Sequence, residues 1–210
     1  MKRYFLIATA VIIVMISAGH KKNMTTKTEN VSMQEKIRFV RLSSWEAQMC
    51  SRANRFALHV FKYTIEAVGN KSLTLSPLSM IYSLGMINNG AEGNTSRQIC
   101  KITGFTSGTD SINAFCHKIM NEFGYIDSTT TMDIANAAII NENLKIKDCF
   151  VDALKNYYEA MTDVSNFNKN NIVNKVNVWC AEKTDGMIDN IIDNISLDDA
   201  VIIDKTHSLF

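Results

Sequence analysis

The residues best able to bind a metal or attack a carbonyl in this 210-residue chain are four histidines (His20, His59, His117, His207) and five cysteines (Cys50, Cys100, Cys116, Cys149, Cys180). A helical zinc site needs two histidines one turn apart, and a zinc or redox site built on cysteine favours pairs two residues apart. Neither spacing occurs. There is also no Gly-x-Ser-x-Gly elbow and no glycine loop of the kind that cradles phosphate. Asp185, Asp189, Asp193, Asp198 and Asp199 lack the alternate-residue spacing and central glycine of a calcium loop and read as a solvated acidic face. His59 and His117 fall on predicted helices and read as packing or surface residues. We therefore expect no catalytic residue, no metal and no cofactor, and the chain does not read as an enzyme.

Charge argues for no particular partner. Twenty-two lysines and arginines against 21 aspartates and glutamates leave a formal net charge of +1, which provides no basic excess to hold nucleic acid. An odd number of cysteines leaves at least one free or paired outside the chain. Cys50, Cys100, Cys116 and Cys180 lie beside apolar neighbours in helical patterns and read as buried thiols acting as small hydrophobes. A disulfide after export is the alternative. Sequons at Asn23, Asn30, Asn70, Asn94 and Asn194 matter only in a host that glycosylates.

With reactive chemistry set aside, the stretch that organises the chain is Ser76 to Thr95. Ser76 precedes the only proline and can accept from free N–H groups at Leu78 and Ser79, while Pro77 has no N–H to leave unsatisfied. From Leu78 to Ile87 apolar residues fall on every side, which predicts a helix buried all round. Asn88-Asn89-Gly90 predicts a left-handed stop, and Thr95-Ser96-Arg97-Gln98 a capping box for the next helix.

Around this helix, apolar steps of three and four predict helices over Met49–Val68, with Ala53, Phe56, Ala57, Val60, Phe61, Thr64 and Ile65 inward; over Ser96–Ile102; and over Asp110–Phe123. Further helices are predicted from Asp148 to Met161 and from Asn170, with Ile172, Val173, Val176, Trp179, Cys180 and Lys183 on one face, to a break near Gly186. Ser72–Leu75 reads as a short strand, Thr129–Ile140 as a long central one, and Asp163–Phe167 as a brief extended piece. The class is α+β and helix-rich.

The ends carry other signals. Lys2 and Arg3 precede an apolar run from Tyr4 to Ile16, followed by Ser17-Ala18-Gly19, the pattern of a secretory signal peptide over residues 1–19. The run is shorter than the roughly 20 residues that cross a bilayer, so no stable membrane span is expected. Residues 20–40 read as a mobile polar leader, and the folded domain as 41–210.

At this point the motifs resemble a known family. Ser76-Pro77-Leu78-Ser79, then Leu84, Met86 and Gly90-Ala91-Glu92-Gly93-Asn94-Thr95, closely resemble the serpin pattern S-P-L-S-(I/V)-x-x-A-L-x-M-x-x-x-G-A-x-G-x-T. Asn54 and Phe56, Ala135-Asn136, and Asn177-x-Trp179 with Thr184-x-Gly186-x-Ile188 are similar to further serpin positions in the right order, so the resemblance covers about residues 45–195. Ser83 stands where alanine is usual.

The resemblance implies a protein that inhibits serine or cysteine proteases by offering a reactive loop, which after cleavage inserts as a new strand into the largest sheet. It implies a target protease as partner, and places Ser76, Pro77 and Ser79 at the shutter where that sheet parts, in a conformational role. A non-inhibitory serpin-like binding or structural protein is the alternative, since fold does not settle function. It also implies about twice this length, with the reactive loop near the carboxyl end. The expectation is therefore the amino-terminal half of a serpin domain, with the beginnings of the large sheet, no reactive site, and no activity of its own. Ala200–Ile203 begins the next strand, and Asp204-Lys205-Thr206-His207-Ser208 is expected to break it, because buried unpaired charge costs several kcal/mol, on the order of 2–7 for a polar group alone.

A frameshift or early stop would explain such a break. Codons such as CAT-TCT-TTA-TTT for His207–Phe210, read one base along, encode Ile-Leu-Tyr-Phe. Reading the DNA beyond codon 210 in the other two frames should then yield a strand-rich half with a reactive loop; a downstream sequence without one in any frame rejects the frameshift.

Overall fold

The computed structural model describes residues 40–69, 71–105, 108–123, 132–165, 169–192 and 202–209. The expected signal peptide over 1–19, nearly all of the expected leader, the sequons at Asn23, Asn30, Asn70 and Asn194, and Ala200 and Val201 lie outside the described residues. Helix α1 spans Ser44–Val68. It begins five residues before the predicted start because Ser43 and Glu46 form a reciprocal capping box: Glu46 N–H donates to Ser43 Oγ at 3.2 Å and Ser43 N–H to the Glu46 carboxylate at 2.6 Å. Gly69 ends the helix at φ 71°, its N–H donating to Ile65 C=O.

Helix α2 (Pro77–Asn88) starts as expected, with Ser76 as N-cap and Pro77 in the first turn. Three expectations around it need correction. Ser72–Leu75 forms no strand, since a strand exists only through ladder partners and none among the described residues pairs with it. The stop is not left-handed: Asn89 is right-handed at φ −67°, and the chain leaves through tight turns in which Asn89 N–H donates to Met86 C=O and Gly90 N–H to Ile87 C=O. Nor is the helix buried all round, because Met80 and Ile87 are 38% and 44% exposed.

Helix α3 runs Gly93–Thr103, so Thr95 and Ser96 lie inside it and no capping box forms; the cap position is Glu92, which makes no side-chain cap bond. Gly104 closes α3 in the left-handed region. Helix α4 (Thr109–Phe123) follows, then strand β1 (Asp133–Asn141), helix α5 (Asp148–Tyr158), strand β2 (Met161–Ser165), helix α6 (Lys169–Lys183) and strand β3 (Ile202–Leu209). Met161 thus belongs to β2 and not to the preceding helix, which stops at a left-handed Glu159.

The sheet has the order β2-β1-β3. Strand β2 runs parallel to β1, from Ala137 opposite Met161 to Asn141 opposite Ser165, and β3 runs antiparallel, from Ile140 opposite Ile202 to Asp133 opposite Leu209. The ladder therefore continues through Asp204 to Ser208 and does not break there: Asp204 pairs with Ala138 and Lys205 with Ala137. Ladder bonds use backbone groups, so polar residue types do not by themselves end a strand.

Strand β1 is covered on both faces. Ala138 and Ile140 join the main core with Met49, Phe56, Tyr82, Met86, Ile112, Phe115, Leu154 and Tyr158 from α1, α2, α4 and α5. Ala137 packs with Trp179 and Cys180, and Ile139 with Ile172 and Val176, all on α6. Two-residue alternation sends neighbours to opposite layers, which is why the strand reads as a continuous apolar run. On α6, Lys183 is exposed, unlike the rest of its predicted face. On α1, Phe61 and Ile65 are 50% and 43% exposed although they were expected inward. The core side of this helix is held instead by Met49, Phe56, Ala53 and Val60.

Two partly buried ion pairs tie elements together: Lys118 to Glu46 at 2.8 Å and Lys175 to Asp163 at 2.6 Å. Burial raises the Glu46 pKa, but hydrogen bonds from Lys118 and Ser43 outweigh it and hold the carboxyl below its ordinary 4.5. At Asp163 the hydrogen bond from Lys175 dominates over burial and holds it below 3.8. A lowered folded pKa contributes stability that is present above the unfolded value and is lost as pH falls through the folded one. Lys118→Met and Lys175→Met should each lower stability by about 1 kcal/mol near pH 6. In urea denaturation at a series of pH values, the gap from wild type should narrow as pH drops below 4.5 for the first variant and below 3.8 for the second.

Candidate functional site

At the start of α2, Ser79 N–H donates to Ser76 Oγ at 3.3 Å, and the two hydroxyls lie 2.8 Å apart. Both serines are half-buried, and α2 lies against both β1 and β3. The cap thus sits at one end of a helix that runs beneath the sheet.

The far end of α2 holds a polar cluster that none of the sequence motifs indicates. Tyr158, fully buried at the end of α5, sets its hydroxyl over Gly85, where a β-carbon would meet the oxygen at 2.6 Å. That hydroxyl donates to Asn113 Oδ1 at 2.8 Å. Asn113 Nδ2 donates to Asn89 Oδ1 at 2.8 Å, and Asn89 Nδ2 donates both to Asn113 Oδ1 at 3.0 Å and to Gly85 C=O at 2.9 Å. Beside them Ser96 donates to Asn88 Oδ1 at 2.8 Å, and Asn88 Nδ2 to Thr109 Oγ1 at 3.4 Å. The helices α2, α3, α4 and α5 are thereby joined by side-chain hydrogen bonds inside an apolar core, where an unpaired amide would be costly.

The cluster reaches the sheet through Asn136 of β1, whose Nδ2 donates to the Tyr158 carbonyl at 2.7 Å. Tyr82 stands edge-on to Tyr158 with ring centroids 6.1 Å apart and donates to the Cys116 carbonyl at 2.7 Å. Burial first, and then the neighbouring Cys116, push both phenols far above their ordinary value. Burial also pushes the Cys116 thiol up to about 12. All three groups keep their protons at any physiological pH. This arrangement can hold helices in register; it has no nucleophile and no group that titrates near neutrality.

A second cluster follows α6. Asn177 Oδ1 accepts from Ile191 N–H and Ile192 N–H, both at 3.0 Å, while its Nδ2 donates to Asn190 Oδ1 at 2.7 Å and to Ile192 C=O at 2.9 Å. Thr184 is buried and its hydroxyl accepts from Ile188 N–H at 3.0 Å. Gly186 turns the chain at φ 77°. These residues fasten the segment after α6 back onto the helix, and Trp179 presses against Ala137 of β1.

Of the remaining motif residues, Phe56 is in the core, Asn54 and Thr95 are exposed, and Ala91 is half-buried. Gly93 adopts φ 58°. Gly90 serves space instead of conformation: a β-carbon there would lie 3.1 Å from the Phe150 ring. No helix among the described residues is long and apolar enough to cross a membrane.

With this geometry in view, comparison with known proteins identifies the family: residues 51–205 match the model of the serpins, serine protease inhibitors. The chain belongs to the serpin family. It is 28% identical over 154 residues to Serpin-ZX of Arabidopsis thaliana, a match covering 70% of this chain and 39% of that protein. Human corticosteroid-binding globulin is 25% identical, with 75% of this chain and 40% of that protein covered. The crystal structure of the thermophilic serpin tengpin in the latent state superposes with a TM-score of 0.67 at 26% identity, covering 81% of this chain and 45% of that one. The chain spans less than half the length of the curated relatives it matches. The expected helix-rich α+β serpin fold is thus the observed one.

The tight seat of Tyr158 on Gly85 can be tested directly. Gly85→Ala should destabilise this serpin chain by about 1–3 kcal/mol, the usual range for overpacking a filled core. Tyr158→Phe removes the oxygen that the new methyl would strike, so the double variant should be less destabilised than the sum of the singles. Additive losses in denaturant midpoints would show that the two positions do not meet.

Proposed function

We propose that these residues form the amino-terminal half of an inhibitor-class serpin, and that their part in protease inhibition is mechanical. The observation that carries this is the capped start of α2 under the sheet, where Ser76 and Ser79 bond to each other and to the helix N-terminus, in a chain whose residues 51–205 match the serpin model. In this reading Ser76, Pro77 and Ser79 support the strands that part when a cleaved reactive loop inserts as a new strand. Asn177, Trp179, Thr184 and Gly186 hold α6 and its following segment on the outer face of that sheet. The chain acts on no substrate, and by family analogy its partner is a target protease of serine or cysteine type, not retained without the reactive loop.

Residues 1–19 are proposed as a signal peptide that exports the protein, with 20–40 a polar leader and 41–210 the serpin portion. The reactive loop belongs, by family, to a carboxyl-terminal half that these 210 residues do not include. By themselves they should therefore trap no protease. A non-inhibitory serpin-like binding or structural protein is the second reading, favoured by the similarity to corticosteroid-binding globulin.

Incubated with trypsin-like and subtilisin-like proteases, the 210-residue chain should yield no covalent complex stable to denaturing electrophoresis. A band at the summed mass of chain and protease would overturn the proposal that these residues are inactive alone.

A further inference from the structure

Strand β1 and helices α5, α4 and α2 are linked in that order by one continuous path of hydrogen bonds. It runs from Asn136 Nδ2 on β1 to the Tyr158 carbonyl, from the Tyr158 hydroxyl to Asn113 Oδ1 on α4, and from the Asn113 amide to Asn89 at the end of α2. Only the last link, returned by Asn89 Nδ2, and the seat of Tyr158 over Gly85 bind the sheet layer to α2 through this path. Asn113 is 2% exposed, so each of its bonds replaces one that water cannot supply. Asn89 also anchors to its own helix through the Gly85 carbonyl, which fixes the amide that faces Asn113.

We propose that Asn89 and Asn113 are positioning residues of the conformational site. Their paired amides latch the layer formed by β1 and α5 onto α2 and set how readily the sheet shifts across that helix. This rests on the reading above, in which the sheet must rearrange to take up a strand. Ser76 and Ser79 guard one end of α2 and the asparagine pair the other, so a strand entering the sheet works against both ends of the same helix. Two neutral amides suit such a latch. They hold without charge, do not respond to pH, and can part and re-form as the layers slide.

The test is hydrogen–deuterium exchange on the full 210-residue chain, comparing Asn113→Ala, Tyr158→Phe and the double variant with wild type. Exchange in β1 and α5 should accelerate about tenfold in either single variant, with α1 unchanged within about twofold, because local opening reports the latch whereas global loss of stability moves all elements together. The double variant should exchange no faster than the faster single one, since both break the same path. Uniform acceleration across α1, β1 and α5, additive effects, or an unchanged β1 would each overturn the proposal. If Asn113→Ala does not fold, Asn89→Ala at the half-buried end of the pair is judged by the same criteria. The readout needs no protease, so failure of the latch and failure of the inhibitor reading give different results.

Discussion

A phenol hydroxyl lies 2.6 Å from where residue 85 would carry a β-carbon, and most of what is distinctive in this chain follows from that contact. Because residue 85 is glycine, α5 can press the end of Tyr158 onto α2, and because the hydroxyl is then sealed from water it must find a partner within the core. Asn113 supplies it, which leaves the Asn113 amide to be satisfied in turn, and Asn89 does so while bonding back to Gly85 C=O. Each member is there because the one before it would otherwise be a buried unpaired polar group. The helix layer is therefore held in one register by directional bonds, where apolar packing alone would accept several.

The sheet depends on the same contact at one remove. Strand β1 is central, with β2 on one side and β3 on the other, and its two faces are taken by different layers. A strand covered on both sides has no solvent side to mark its register, so the polar Asn136 within it has special value: it bonds to the Tyr158 carbonyl and pins β1 along its length to the end of α5. On the opposite face, Asn177 and Thr184 act as pegs for the segment after α6, and the indole of Trp179 rests on Ala137.

Much of this was legible in the residues. The Ser76-Pro77 start of α2, the helix α4 and the central place of β1 follow from capping chemistry and hydrophobic period. The Ser43–Glu46 capping box was equally present in the sequence, as a serine followed three residues later by glutamate, and it places the start of α1. What could not be read are features decided by distant partners. Asn88 and Asn89 look like turn residues, since that is where asparagine usually sits; only the arrival of Asn113 and Ser96 from other helices makes the buried Asn88 and half-buried Asn89 members of a network. Ser72–Leu75 has the alternation of a strand, but alternation gives a strand only when another strand lies alongside. Gly90 looks like a φ-driven helix stop, while its place is set by the Phe150 ring.

The same reasoning explains the apolar residues that stay outside. Leu58, Phe61 and Ile65 follow one another at three- and four-residue steps along α1 and are 69%, 50% and 43% exposed, a stripe on the side away from Met49 and Phe56. A helix with two apolar stripes is suited to lie between two layers. In α2 the exposed Met80 and Ile87 are seven residues apart, again on one face, opposite a core side that is fully engaged. Each of these two helices therefore presents a second apolar face that the described residues leave exposed. The paired amides of Asn89 and Asn113 lie on the opposite, core side of α2, where Asn113 is buried, so their geometry does not depend on what covers Met80 and Ile87.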